Sequence, residues 1–149
     1  MSSDKIIGKK YEADYEVSYE KIKEFIEVLG DKNPHYSDRE FVKSIDGGDV
    51  YAPPTFAAIY CQPALKNLYL DSEFSKMIPK LVHGEQEYNF VEPTRSGDTI
   101  YTTAEVVKHY KKTNRTGKEN QIIEIMTTSK NQNDKLVCTA TYRLVIRAT

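Results

Sequence analysis

The apolar positions of this chain change their period more than once, and each change predicts an element. Tyr11 to Val17 alternates polar with apolar residues, as a half-buried strand does. Ser18 then offers a hydroxyl as a helix N-cap, with Glu20 near the positive end of the helix dipole. Ile22, Phe25, Ile26 and Leu29 fall at i, i+3, i+4 and i+7, and Gly30 stands where a left-handed cap is needed. The spacing predicts a helix over Tyr19 to Leu29.

Beyond it, Pro34 pushes Asn33 out of helical geometry, and Ser37 or Asp38 offers a cap for a short following helix, so Asp31 to Asp38 reads as an ordered loop. Ile45 to Val50, with Gly47-Gly48 between two aspartates, reads as the most flexible stretch. Pro53-Pro54-Thr55 opens a second helical segment in which Phe56 to Cys61 are apolar on every side, the pattern of a helix buried all round. Pro63 predicts a kink or restart before Ala64 to Leu70, because its ring clashes with the preceding turn.

From Leu81 the period becomes two. Val82, Gly84, Gln86, Tyr88 and Phe90 are expected on one face of a strand, and Cys138, Ala140, Tyr142, Leu144 and Ile146 on one face of another. Thr99 to Lys108 and Gln121 to Thr128 supply the strands between, separated by turn-forming groups at Glu92–Asp98, Asn114–Gly117 and Asn131–Asp134. An all-apolar helix followed by long antiparallel strands implies an α+β fold, a curved sheet wrapped around that helix. Such a sheet leaves an edge strand to be paired, which edge-to-edge dimerisation accomplishes.

At 149 residues the chain has the size of one domain spanning 1–149, large enough to bury roughly two-thirds of its unfolded surface. Lys plus Arg number 21 and Asp plus Glu 22, a net charge of −1 that argues against nucleic acid or a membrane surface as partner. Cys61 and Cys138 sit far apart in apolar stretches, as buried thiols of a cytoplasmic protein do, and Met1 to Lys10 lacks the apolar core of a signal peptide.

Several segments carry a family resemblance by their order and spacing. They are Gly30-Asp31-Lys32-Asn33-Pro34 with Ser37-Asp38, Ala52-Pro53-Pro54-Thr55-Phe56, Tyr88-Asn89-Phe90-Val91-Glu92-Pro93, and Gly97-Asp98. From about Ile7 to Arg147 the chain resembles the MaoC-like (R)-specific hydratases and dehydratases. Within them it is most similar to the dehydratase-like N-terminal domain of type I fatty-acid synthases and to the small subunits of mycobacterial (3R)-hydroxyacyl-carrier dehydratases. The resemblance implies a hotdog fold and reversible syn loss of water from a (3R)-3-hydroxyacyl thioester. It implies no cofactor, the substrate being carried as a coenzyme A or acyl-carrier thioester.

Catalytic members of that family carry a loop reading Asp-x-Asn-Pro-x-His, in which Asp and His handle the water or the α-proton and Asn supports them. Asp31, Asn33 and Pro34 match. The histidine position holds Tyr36, with His35 one place early. An imidazole of pKa ~6.5 takes a proton at neutral pH far more readily than a phenol of pKa ~10. The residues alone leave Asp31 open between a catalytic carboxylate and a cap for the next turn, and His35 and Tyr36 between chemistry and loop packing.

By the same resemblance, Thr55 presents a backbone N–H to the thioester oxygen. Pro53 and Pro54 have no N–H, so Thr55 or Phe56 must be the donor of any oxyanion hole there. Tyr51, Phe56 and Tyr60 are expected to shape the acyl channel. His83 has no companion ligand at zinc spacing, so no metal site is expected. His109 lies in a basic hairpin with Lys108, Lys111, Lys112, Arg115 and Lys118, either a solvated face or a phosphate contact.

The expected function is a dehydratase or hydratase subunit that shapes the substrate channel beside a homologous catalytic chain. A homodimer using Asp31 and His35 is a second version of it. Two other classes stay open: a hotdog thioesterase in which Asp31 activates water, and a non-catalytic acyl-thioester-binding homodimer.

Overall fold

The computed structural model describes residues 5–148; the first four residues of the stretch tested for a signal sequence, and Thr149, lie outside the described residues. Five strands, β1 (Lys10–Glu16), β2 (Leu81–Phe90), β3 (Thr99–Thr113), β4 (Glu119–Lys130) and β5 (Leu136–Ile146), form one antiparallel sheet in the order β1-β3-β4-β5-β2. Between β1 and β2 come α1 (Tyr19–Leu29), α2 (Pro34–Ser37), α3 (Arg39–Asp46), α4 (Ala57–Tyr60), α5 (Gln62–Tyr69) and α6 (Ser72–Ser75). No helix among the described residues is long and apolar enough to cross a membrane.

The first helix has the expected bounds and caps. Ser18 Oγ accepts from the Lys21 N–H at 3.2 Å, and Gly30 closes the helix at φ 69°. Asp38, not Ser37, caps α3. The central helix is α4 and α5, interrupted at Cys61, with Pro63 in the first turn of α5 where its missing N–H costs no helical bond. It packs chiefly on β1 and β3. Its N-terminal part is not buried all round as expected: Phe56, Ala57, Tyr60 and Cys61 are buried, whereas Ala58 and Ile59 are half-exposed and Thr55 is exposed.

Two further expectations are corrected. Ile45 to Val50 is tightly held, because Asp46 ends α3 and pairs with Arg95 at 2.5 Å, and Asp49 takes a two-point contact from Arg39 at 3.0 and 3.1 Å. Ion pairing across the chain, invisible to local composition, overrides the two glycines there. On β2, a bulge between His83 and Glu85 reverses the alternation. Leu81 and His83, rather than Val82 and Gly84, therefore share the concave face with Gln86, Tyr88 and Phe90.

A Cβ on Gly84 would lie 2.9 Å from the Arg143 carbonyl oxygen and 3.1 Å from Val145 Cγ2. Gly84→Ala is expected to cost about 1–3 kcal/mol, because backbone must move to accept it. A fall in the urea midpoint checks this; an unchanged midpoint shows that the bulge tolerates a side chain.

The N-terminal edge is fastened by Asp71, which accepts from the Tyr11 hydroxyl at 2.6 Å and from Lys9 Nζ at 3.1 Å and caps α6. The Tyr11 hydrogen bond, opposed by partial burial and aided by the Glu73 N–H, holds the Asp71 carboxyl down to about 2. A carboxyl depressed in the folded state stabilises above its unfolded value of ~3.9, and that contribution is lost as pH falls through the folded value. Urea midpoints are expected to drop between pH ~4 and about 2, and Asp71→Asn to flatten that drop. An equally steep drop in the variant would assign the acid sensitivity elsewhere.

Candidate functional site

One cavity of about 420 Å³ opens between the α2 turn, the approach to the central helix and the end of β2. That is the scale of a small-molecule site, since such pockets run from roughly 300 to 1,000 Å³. Asn33, His35 and Tyr36 form one wall, Tyr51, Ala52, Pro53 and Pro54 a second, and Tyr60 comes from α4. Phe90 to Thr94 complete it from the segment after β2.

The stretch expected as an ordered loop contains a one-turn helix, α2, built by its side chains. Asn33 is the cap: its Oδ1 accepts from the His35 N–H at 3.0 Å and lies 3.0 Å from His35 Nδ1. A proton on Nδ1 makes that second contact a hydrogen bond and leaves Nε2 as the ring's acceptor. The ring stands edge-on to Phe41 at 5.2 Å, and the His35 carbonyl accepts from the Tyr51 N–H at 2.9 Å, tying the two walls together.

Asp31 does not share this cavity. Its Oδ1 accepts from the Asn33 N–H at 2.9 Å, closing an Asx turn, and the residue lines a separate surface concavity with Tyr19, Lys23 and Gly30. Phe56 does not line this cavity either. It is 1% exposed and packs edge-on to Phe25 at 5.4 Å and Tyr15 at 6.1 Å, in the core behind the cavity. Thr55 lies outside the cavity lining and is exposed; the Phe56 N–H is committed to the Pro53 carbonyl at 2.9 Å. The structure thus brings together Asn33, His35, Tyr36, Tyr51 and Tyr60, and leaves Asp31, Thr55 and Phe56 outside.

Tyr51 is locked from behind. Arg95 stacks on its ring at 4.0 Å and donates to its hydroxyl, which in turn donates to Asp46 at 3.1 Å. Hydrogen bonds from Arg95, then from the Gly48 N–H, hold the Asp46 carboxyl well below the usual carboxylate range. Tyr60 is a neutral phenol, pushed far up by burial and by the nearby thiols Cys138 and Cys61, both buried and free.

Phe90, Val91, Glu92, Pro93 and Thr94 were not singled out as site residues from the sequence. Only the antiparallel pairing of β2 with β5 and the Tyr51–Arg95 bridge show that this segment closes the cavity. His83 stands edge-on to Tyr142 at 6.5 Å on the concave face, and His109 pairs with Gln121 at 2.8 Å. The basic hairpin lies at the opposite end of the sheet from the cavity, since Gln121 pairs with Ile146 and Ile146 with Leu81, whereas the cavity adjoins Phe90.

The sequence profile of the FAS1-like dehydratase domain region matches residues 5–140. The chain belongs to that family. Among curated relatives, an UPF0336 protein of Streptomyces griseus is 36% identical over 136 residues, covering 90% of this chain and 86% of the relative. Among solved structures, a chain of the HadBC (3R-hydroxyacyl-ACP dehydratase) complex of Mycobacterium tuberculosis superposes with a TM-score of 0.75 at 19% identity, covering 94% of this chain and 96% of that one. R-hydratase PhaJ1 of Pseudomonas aeruginosa gives 0.74 at 18% identity, covering 96% and 83%. This dehydratase-family domain therefore has a MaoC-like hotdog fold: a curved sheet around a central helix.

Proposed function

We propose that the chain is a subunit of a (3R)-3-hydroxyacyl-thioester dehydratase, or enoyl-thioester hydratase, that shapes the acyl cavity while a homologous partner supplies the acid–base pair. One observation carries this. The cavity is acyl-sized and carries Tyr36, Tyr51, Tyr60 and Phe90 on its walls, yet Tyr36 stands in the histidine position and Asp31 faces a different concavity. In this reading the thioester's acyl chain lies against Tyr36, Tyr51, Tyr60 and Phe90. Tyr51 keeps its position because Arg95 and Asp46 fix it, and the rigid α2 turn presents the wall. Loss or gain of water across the α- and β-carbons needs a positioned base and acid and no redox group. The two unpaired buried thiols support a cytoplasmic setting.

A second reading, the self-sufficient homodimer, is favoured by one detail: with Nδ1 turned to Asn33, His35 Nε2 is left as a proton acceptor on the cavity wall.

Hydration of a short 2-enoyl thioester and hydrolysis of a saturated one separate these possibilities. They are assayed on the chain alone and on the chain co-purified with a homologue that carries the intact Asp-x-Asn-Pro-x-His loop. Hydration confined to the pair supports the subunit. Hydration by the chain alone, lost in His35→Leu with the circular dichroism spectrum unchanged, supports the homodimer. Hydrolysis without hydration contradicts both.

A further inference from the structure

Tyr60, from the central helix, is the most deeply buried aromatic residue of the cavity wall, at 4% exposure. Behind it the concave face of the sheet continues under that helix. Far from the cavity this face is apolar, with Val106, Ile123, Ile125, Leu144 and Ile146 all buried. The row that adjoins the cavity is polar. Phe90, on the cavity wall, pairs with Cys138, Cys138 with Ser129, and Ser129 with Thr102, so a thiol and two hydroxyls cross the sheet in register. Thr127 adds another hydroxyl to the same face, two residues along β4 from Ser129. Thr102, Thr127, Ser129 and Cys138 are each at most 1% exposed.

These groups serve one another and leave the cavity alone. Thr102 Oγ1 and Ser129 Oγ lie 2.8 Å apart, and Cys61 Sγ, at the break in the central helix, lies 3.7 Å from both Thr127 Oγ1 and Ser129 Oγ. None of the five lines the cavity. Tyr60 reaches the same row, since the thiols of Cys138 and Cys61 add to burial in raising its phenol. An alkyl chain running on past Tyr60 would have to part the central helix from this row. It carries no donor or acceptor, so every hydroxyl it separated from a partner would stay buried and unpaired. Such orphaned groups cost more than a hydrogen bond returns.

We infer that the cavity selects short acyl groups: Tyr60 ends it, and the hydroxyl and thiol row behind Tyr60 keeps a longer alkyl chain from continuing between the central helix and the sheet. The inference rests on the reading of the cavity as an acyl-thioester site, and it names the substrate class of that site. Tyr60 sets the limit by contact with the acyl group, whereas Thr102, Ser129 and Cys138 act from behind it.

The test is calorimetric titration of the native chain with butyryl-, hexanoyl- and decanoyl-coenzyme A. A cavity open to the alkyl chain would gain roughly fourfold in affinity for each further methylene it buried. The native chain is expected to gain no more than about threefold in all from butyryl to decanoyl, less than a single buried methylene supplies. A Tyr60→Ala, Thr102→Val, Ser129→Ala variant, which removes the stop and makes the row apolar, is expected to bind the decanoyl ester at least ~10-fold more tightly than the butyryl ester. Because Tyr60 is buried, Tyr60→Leu with the same two changes is run beside it, keeping an apolar side chain in the core. A larger gain with length in the native chain overturns the inference and leaves the acyl-thioester reading standing, whereas binding of none of the esters overturns both. A folded variant with the native length profile overturns the roles given to Tyr60 and the polar row.

Discussion

Exchange of the two loop residues, His35→Leu with Tyr36→His, is expected to raise hydration of a short 2-enoyl thioester by roughly 10²-fold or more over the native chain under the same conditions, the usual contribution of one positioned acid or base. Tyr36 lies on the cavity wall, and its N–H donates to the Asn33 carbonyl at 3.0 Å, a backbone bond that the exchange preserves. A free imidazole, with a reference pKa of ~6.5, accepts a proton at neutral pH far more readily than a phenol, with a reference pKa of ~10. Leucine at position 35 keeps an apolar contact for Phe41 and frees Asn33 Oδ1 from the ring. Adding Asp31→Asn then distinguishes two arrangements of the loop. With Asp31 in its own concavity, most of the gain survives; if the gain disappears, the carboxylate turns into the cavity when substrate binds. No gain at all in a folded variant would place the substrate elsewhere.

Phe56→Ala is expected to destabilise the fold by about 3–5 kcal/mol, the range for deleting a buried aromatic ring. Against a typical total of ~5–15 kcal/mol for a domain, that is a large share. Phe56 sits where the last turn before α4 meets α1 through Phe25 and β1 through Tyr15, so the void opens where three elements converge. Urea denaturation should show a lower midpoint at unchanged slope. A loss under about 1 kcal/mol would mean that the neighbouring side chains collapse into the space, contrary to a close-packed core.

Local chemistry made much of the fold legible. Ser18 and Gly30 bound the first helix because a hydroxyl cap and a left-handed glycine act within one turn, and the alternation of Cys138 to Ile146 survives because β5 is covered along its concave face. What failed was non-local or depended on one residue. The β2 bulge is a single inserted position that exchanges the faces of Leu81 and His83 with that of Val82. The order of Ile45 to Val50 depends on Arg95, distant in sequence.

The candidate site divides the same way. Spacing and resemblance pointed to Asn33, His35, Tyr36, Tyr51 and Tyr60, all of which line one cavity. Asp31 is drawn away by its own Asx turn, and Phe56 by the aromatic core, two local preferences that a motif match does not weigh. The wall from Phe90 to Thr94 is brought to the cavity by strand pairing; most of it lies in a segment that carried the family resemblance, but nothing in that segment marked a place in the site.

That this cavity is the acyl-thioester site is tested most directly by titrating the native chain with a saturated short-chain acyl-coenzyme A and following backbone and aromatic resonances by NMR. Saturable shifts at Tyr36, Tyr51, Tyr60 and Phe90, with the basic hairpin around His109 unchanged, are the predicted result. Saturable shifts centred on any other surface, or none at millimolar ligand, would contradict it.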